Sequence, residues 1–400
     1  MRRSTEELLA RLLAGLEREL PHAIALRQRL HAQPELAHAE EHTAATVARE
    51  LPVASMKVDG TGRIARVGPD AGPAIGIRAE LDGLPIAEST GARFAAGGGV
   101  MHACGHDVHM AALVALARAA HTVAETLPAP LLAVFQPSEE AYPSGAQQLA
   151  QGQLAALSPA AVVAAHIHPE LRWGTVALDP GAVNASCDAV EITVQGQPSH
   201  GAYPHLGRDP VLALAQIVVA LHAQVGRRID PHGPAVLTVG VLEGGSAENV
   251  IPSHARARAA VRAHRPQDRR ALRTMVEEVV AGVAAAHGCL GSVELVPGEP
   301  ALENDPAIVA HARELLPAAG LRPAPEWRSS GSDDFAFFGT LAPIAMGFVG
   351  LEGAEGFTRR PLHHPELLPP DSAVGAVSRA QAVLYVAAAL SAGGEAARAA

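Results

Sequence analysis

The 400-residue chain reads as an α/β protein of two domains, the second inserted into the first. Its length exceeds what one hydrophobic core usually supports. Short apolar runs at 74–79, 130–135 and 161–165 each finish in acidic or imidazole groups, as strands do when a doubly wound sheet gathers their carboxyl ends on one rim. From about 185 to 297 the order strand, helix, strand, strand, helix, strand is that of a ferredoxin-like sandwich, which folds as a unit. The expected domains are residues 1–184 with 298–400, holding a sheet between helices, and the insertion 185–297.

The elements follow from periodicity. Leu8, Leu9, Leu12, Leu13, Leu16 and Leu20 recur at helical spacing over 4–20, and Pro21 is placed to open a second helix reaching His31. A third helix covers 40–51, and strands follow at 63–67 and 74–79, the latter closing on Glu80-Leu81-Asp82-Gly83. Asp82 alone reads as a turn former. The glycines at 97–99 lead to a helix over 106–120, and two strands then end in Gln136-Pro137-Ser138-Glu139-Glu140 and His166-Ile167-His168-Pro169. Within the insertion, strands are expected at 188–194, 235–242, 254–263 and 291–296, with helices at 210–225 and 267–286. After it come a helix opened by Asn304-Asp305-Pro306, a loop at 329–335 capping a short helix, and a strand at 343–349. The loop carrying His363 and His364 follows, then a helix over 373–390 and an Ala/Gly tail.

Composition excludes several classes. A net charge of −10 and 3% aromatic residues oppose a phosphate backbone and base stacking, so no nucleic-acid partner is expected. Three scattered cysteines make no disulfide framework, and charged residues interrupt the N-terminal apolar runs, which predicts neither a signal peptide nor a membrane span. A cytoplasmic setting is the expectation.

The chemistry centres on Met101-His102-Ala103-Cys104-Gly105-His106-Asp107-Val108-His109, a mixture of imidazole, thiol and carboxylate suited to a transition-type divalent ion. With the strand ends added, the rim offers Cys104, His106, Glu140, His166 and His363, with Glu139 beside them. That is enough for two ions sharing a ligand, an arrangement that activates water and polarises a carbonyl. Adjacent Glu139 and Glu140 point apart on an extended segment, so one can bind metal while the other takes the proton of water. Cys104 as a histidine-activated nucleophile, and a binding protein without catalysis, are the rival readings.

These motifs, with Gln197-Pro198-Ser199-His200-Gly201, Gly244-Gly245-Ser246-Ala247-Glu248-Asn249, Gly331-Ser332-Asp333-Asp334-Phe335 and Pro361-Leu362-His363, together resemble the metal-dependent amidohydrolase family of aminoacylases, hippurate hydrolases and indoleacetyl-amino-acid hydrolases. The resemblance implies a metallopeptidase-like catalytic domain interrupted by a lid and dimerisation domain. It implies two divalent ions, zinc or manganese with cobalt or nickel also compatible, on Cys104, His106, Glu140, His166 and His363. Glu139 becomes the general base, and Asp82 and Asp107, with His109, the groups supporting the metal shell. His200 becomes an oxyanion donor reaching a neighbouring subunit, and Asn249 and Arg262 become substrate contacts. The implied activity is hydrolysis of N-acyl amino acids by a homodimer, with small peptides as the alternative substrate. The chain departs from the family at Glu80, Ser138 and Asp333, where Asp, Ala and Glu are usual, and around Arg262, which lacks a preceding Gly-Thr.

Overall fold

The computed structural model describes residues 2–399. Two compact units make up the chain: one holds the residues up to Gly181 with Glu303–Trp327 and Asp334 onward, the other Ala182–Leu302 with Arg328–Asp333. The second unit thus begins and ends a few residues away from the expected boundaries. It also takes in a segment expected as a helix-capping loop, because Ser329 and Gly331 accept the N–H of Ala185, and the N–H of Ser329 bonds to Val183 O.

The first unit is built on an eight-stranded mixed sheet in the order Ser55–Val58, Gly62–Val67, Leu131–Gln136, Ile75–Glu80, Ala161–Arg172, Ile344–Glu352, Thr175–Ala177, Arg322–Pro323. Four adjacent central strands run parallel, from Leu131–Gln136 to Ile344–Glu352. Their side chains alternate strictly. Ile75, Ile77 and Ala79, Leu131, Ala133 and Phe135, and Ala161, Val163 and Ala165 enter one large core with the helices Arg2–Ala32, His106–His121 and Ser372–Ala399. Arg78, Glu80, Gln136 and His166 have the opposite parity and lie on the other face. A period of two therefore separates what packs from what reacts.

Three expectations need correction. The first helix runs unbroken through Pro21: buried Leu8, Leu12, Leu16, Ala23, Leu26 and Leu30 stay in phase across the proline, and burying that stripe outweighs one lost hydrogen bond. The last helix extends to Ala399, as its alanine content favours. The strand Ser55–Val58 was not expected; it pairs with Gly62–Val67 through Asp59-Gly60, a dipeptide with positive φ at both residues. Two helices, Pro210–Arg228 and Ser372–Gly394, are long and apolar enough to cross a membrane, but the latter is a buried core helix.

The second unit carries an antiparallel sheet in the order Ala235–Gly244, His254–Ala263, Ser186–Gln195, Leu290–Pro297. With helices Pro210–Arg228 and Pro266–Ala286 as its crossovers, this is the ferredoxin-like arrangement. Ala255, Ala257, Ala259 and Val261 enter its core, while Arg256, Arg258 and Arg262 alternate onto the open face.

Candidate metal centre

The carboxyl edge of the parallel strands brings together side chains from four separate segments of the chain. Cys104, His106 and His166 offer donor atoms within 4.8 Å of one another, and so do Cys104, Glu140 and His363. A third such trio is His106, Glu139 and Glu140. Cys104 belongs to two of the three. His168 and His364 join none of them; His168 meets Trp327 edge-on and His364 Nδ1 accepts the N–H of Glu366.

Local backbone explains the convergence. Gly105 has φ 82°, and a Cβ there would lie 2.3 Å from Ile167 Cδ1, so glycine lets the chain turn between Cys104 and the helix opening at His106. His106 Nδ1 bonds to the carbonyl oxygen of Asp82 at 2.8 Å, which directs Nε2 at the site. That Nε2 is buried without a hydrogen-bond partner among the described residues, 3.8 Å from Glu139 Oε2. Asp82 Oδ2 accepts the N–H of Glu140 at 2.9 Å, tying the two strand ends together. His166 Nε2 stands 3.5 Å from Cys104 Sγ, and its Nδ1 is 2.6 Å from Ile167 O. His363 Nε2 lies 3.3 Å from Glu140 Oε1, and at 50% side-chain exposure it is the open edge of the group.

Electrostatics hold His166 and Glu140 in their binding-competent forms. Burial and the neighbouring His109 push His166 well below the ordinary imidazole range, leaving it neutral. Burial works against the Glu140 carboxylate, but the His363 bond and the His106 charge prevail and hold its pKa low. Asp82 goes the other way: burial raises it despite His106 and the N–H of Glu140. For His106 burial is overcome by Glu80, Asp82 and Glu140, which raise it. An orphaned imidazole nitrogen facing a thiol and carboxylates within coordinating reach is what a bound divalent cation would satisfy, and the donor set fits one.

Support groups surround the donors. His109 Nδ1 meets Glu80 Oε2 at 2.8 Å and its Nε2 accepts the N–H of Ile167 at 3.0 Å, so both nitrogens are committed and His109 orients the site. Asp107 points away, into a buried network with Arg27 and His31. Sequence reasoning missed Arg27, Arg78 and Glu40. It quoted Asp334 only within a motif, yet that residue accepts bonds from Arg78, Gln136 and Ser144. An arginine inside the apolar strand Ile75–Glu80 was the available signal.

In the second unit, His200 and Asn249 come together. His200 pairs with Val250, and Gly201 N–H bonds to Asn249 O at 2.7 Å. Arg262 stands apart: it lies eight residues along the strand His254–Ala263 from its first residue, roughly 27 Å at strand rise. There it donates to Ser330 O at 3.1 Å.

The chain belongs to the peptidase family M20/M25/M40, whose family model matches residues 76–384. It is similar to an N-acetyl-L-cysteine deacetylase of Bacillus subtilis (strain 168), 34% identical over 371 residues, which cover 90% of this chain and 86% of the relative. An N-acetyldiaminopimelate deacetylase of Bacillus pumilus (strain SAFR-032) is 32% identical, with 88% and 94% covered. Among solved structures, the Bacillus subtilis YXEP protein, described as a dinuclear metal-binding peptidase of the M20 family, superposes with a TM-score of 0.81. It is 29% identical, with 92% of this chain and 98% of that one covered.

Proposed function

We propose that this chain is a metal-dependent amidohydrolase that cleaves N-acyl amino acids into a carboxylate and a free amino acid. The observation carrying the reading is the pair of donor trios that share Cys104, with the Glu139 carboxylate beside them. Cys104, His106 and His166 would hold one divalent ion, and Cys104, Glu140 and His363 the other. Such ions lower the pKa of water and polarise the amide carbonyl. The thiolate favours zinc, and the carboxylates also admit manganese, cobalt or nickel.

Glu139 accepts the proton of the attacking water and returns it to the leaving nitrogen. It suits that exchange because Glu140, held by Asp82, keeps a separate place on the same turn. His200 donates to the carbonyl oxygen as charge builds there, and Asn249 beside it contacts the substrate. Arg262 receives the amino-acid carboxylate. Because Arg262 and the His200–Asn249 pair lie at opposite ends of one unit, a small substrate meets both only if one comes from a second subunit. A homodimer through the inserted unit meets that need. The helix Pro210–Arg228 leaves Leu212 and Val219 50% and 71% exposed, an apolar face for a second copy to cover. A cytoplasmic setting completes the reading.

The test is amine release from N-acetyl-L-cysteine, N-acetyldiaminopimelate, N-benzoylglycine and a set of dipeptides, beside metal content. Hydrolysis of the acylated compounds, lost in Glu139→Gln with metal retained, is the expected result. Preference for dipeptides with a free amino terminus would refute the acyl reading.

A further inference from the structure

Two residues that are not glycine, His38 and Ser138, face each other with left-handed backbone, φ 67° and 51°. Such a conformation is unfavourable for an L-residue and persists where its surroundings impose it. Ser138 is the last residue before Glu139, and its polar groups are all engaged. Its N–H donates to Glu40 Oε1 at 2.8 Å, and its carbonyl accepts from Gly145 N–H at 3.0 Å. Its hydroxyl accepts the N–H of His38 at 2.9 Å. The same oxygen lies 2.9 Å from His38 Nδ1 and 3.3 Å from Glu40 Oε1. Glu40 is fully buried; its other oxygen takes the Thr61 hydroxyl at 2.7 Å. Two residues further on, the N–H of Glu140 rests on Asp82 at 2.9 Å. The backbone on either side of Glu139 is thus pinned by a different buried carboxylate.

We infer that Ser138 is a positioning residue for Glu139: gripped by Glu40 and His38, its left-handed turn aims the carboxylate at the reacting water while Glu140 stays on its own ligand position. The inference rests on the proposed role of Glu139 as base. The hydroxyl matters because an alanine in its place would keep the bond to Glu40 from the backbone but lose both contacts of Ser138 to His38, leaving His38 Nε2 only the carbonyl of Tyr142 at 3.3 Å. A base displaced by a fraction of an ångström or more loses rate without losing binding.

The experiment compares Ser138→Ala, His38→Ala, Glu40→Ala and Glu40→Gln with wild type, using the fastest substrate of the panel. In Ser138→Ala, kcat is expected to fall about tenfold or more, with KM within about twofold and bound metal per chain unchanged. Glu40→Ala falls as far. Glu40→Gln recovers most of the rate because its amide oxygen still accepts the Ser138 N–H. The Ser138→Ala/Glu40→Ala double variant is slower than either single one but by less than the product of their effects, since the two share the hydroxyl contact at 3.3 Å while Glu40 alone holds the Ser138 N–H. If Glu40→Ala does not fold, Ser138→Ala and His38→Ala decide the matter: the first removes every contact of the hydroxyl, the second only the ring contact at 2.9 Å, and the second is expected to slow kcat less than the first.

An unchanged kcat in Ser138→Ala, or a loss of activity that tracks loss of metal, overturns the inference. A wild type that releases no amine from any probe removes the base and the inference with it. A wild type that is inactivated by Glu139→Gln but not slowed by Ser138→Ala overturns this inference alone.

Discussion

Asp107 sits between the metal-binding segment and the first helix, and replacing it with asparagine tests whether the buried charges behind the centre act as a unit. Its Oδ2 accepts Arg27 Nε at 2.7 Å and His31 Nδ1 at 2.9 Å, all three side chains being at most 1% exposed. Burial alone would raise the Asp107 carboxyl; Arg27 and His31 outweigh it and hold it far below the carboxylate range. Burial likewise opposes the His31 cation, but the charge and bond of Asp107 prevail and push its pKa from 6.5 up to about 9. That rise corresponds to roughly 3 kcal/mol of preference for the charged ring in the fold. Breaking one member of such a group costs about 3–5 kcal/mol. Arg27 keeps Asp371 and Pro369 O, and His31 keeps Glu88, so the lower end of that range applies. Asp107→Asn is expected to lower the thermal midpoint by about 6 °C or more, taking some 2 °C per kcal/mol. The pH dependence gives a second readout. A folded pKa above the unfolded one stabilises fully below about 6.5, and that contribution is lost as pH rises through about 9. Urea unfolding at pH 6 and pH 9.5 should therefore show wild type losing more stability than the variant. A difference below about 1 kcal/mol at pH 6, with the same pH dependence in both proteins, refutes the reasoning.

Gly145→Ala would place a methyl group 1.8 Å from the carbonyl oxygen of Pro137, so the turn carrying Glu139 and Glu140 must shift; kcat is expected to drop at least tenfold and metal content to fall, as measured by turnover and elemental analysis. Chelation should abolish hydrolysis, and added zinc or manganese should restore it, whereas activity indifferent to chelators but lost on alkylation would favour Cys104 as a nucleophile. Mixing Glu139→Gln with His200→Ala chains should regain activity that neither has alone. Each mixed dimer then has one site with its own Glu139 and the partner's His200; no recovery on subunit exchange would place His200 at its own chain's site.

The fold was legible where a side-chain period repeats, and the grouping of candidate donors where a strand ends in an ionisable pair. Leu131–Gln136 and Ala161–Arg172 announced both at once, an apolar run followed by Glu139-Glu140 or His166. Pro21 misled because local backbone preference was weighed without the stripe that crosses it, whose burial is a tertiary quantity. The boundaries of the insertion were soft for a related reason: Ser329 joins the second unit by backbone bonds to residues near 183–185, and such bonds leave no trace in side-chain pattern. Glu40 and His38 were out of reach because their partner, Ser138, lies about a hundred positions away and the link is one hydroxyl. Ser138 stands where the family usually has Ala, and the structure gives that departure a contact.

The charges at the rim explain why such a site favours cations. Cys104, Asp82, Glu139 and Glu140 place a thiol and three carboxyl groups around His106 and His166, of which His166 is held neutral by burial. Left uncompensated, these groups repel one another, and burial already raises Asp82 toward its protonated form. Arg78 does not answer that need, being occupied with Glu80, Gln136 and Asp334. Arg27 is likewise committed to Asp107 and Asp371 on the far side of the helix start. The protein has therefore spent its buried guanidinium groups on holding the scaffold and left the rim acidic. Divalent ions are what that imbalance selects, and their binding should stabilise the folded chain by neutralising charges that the unfolded chain leaves to water.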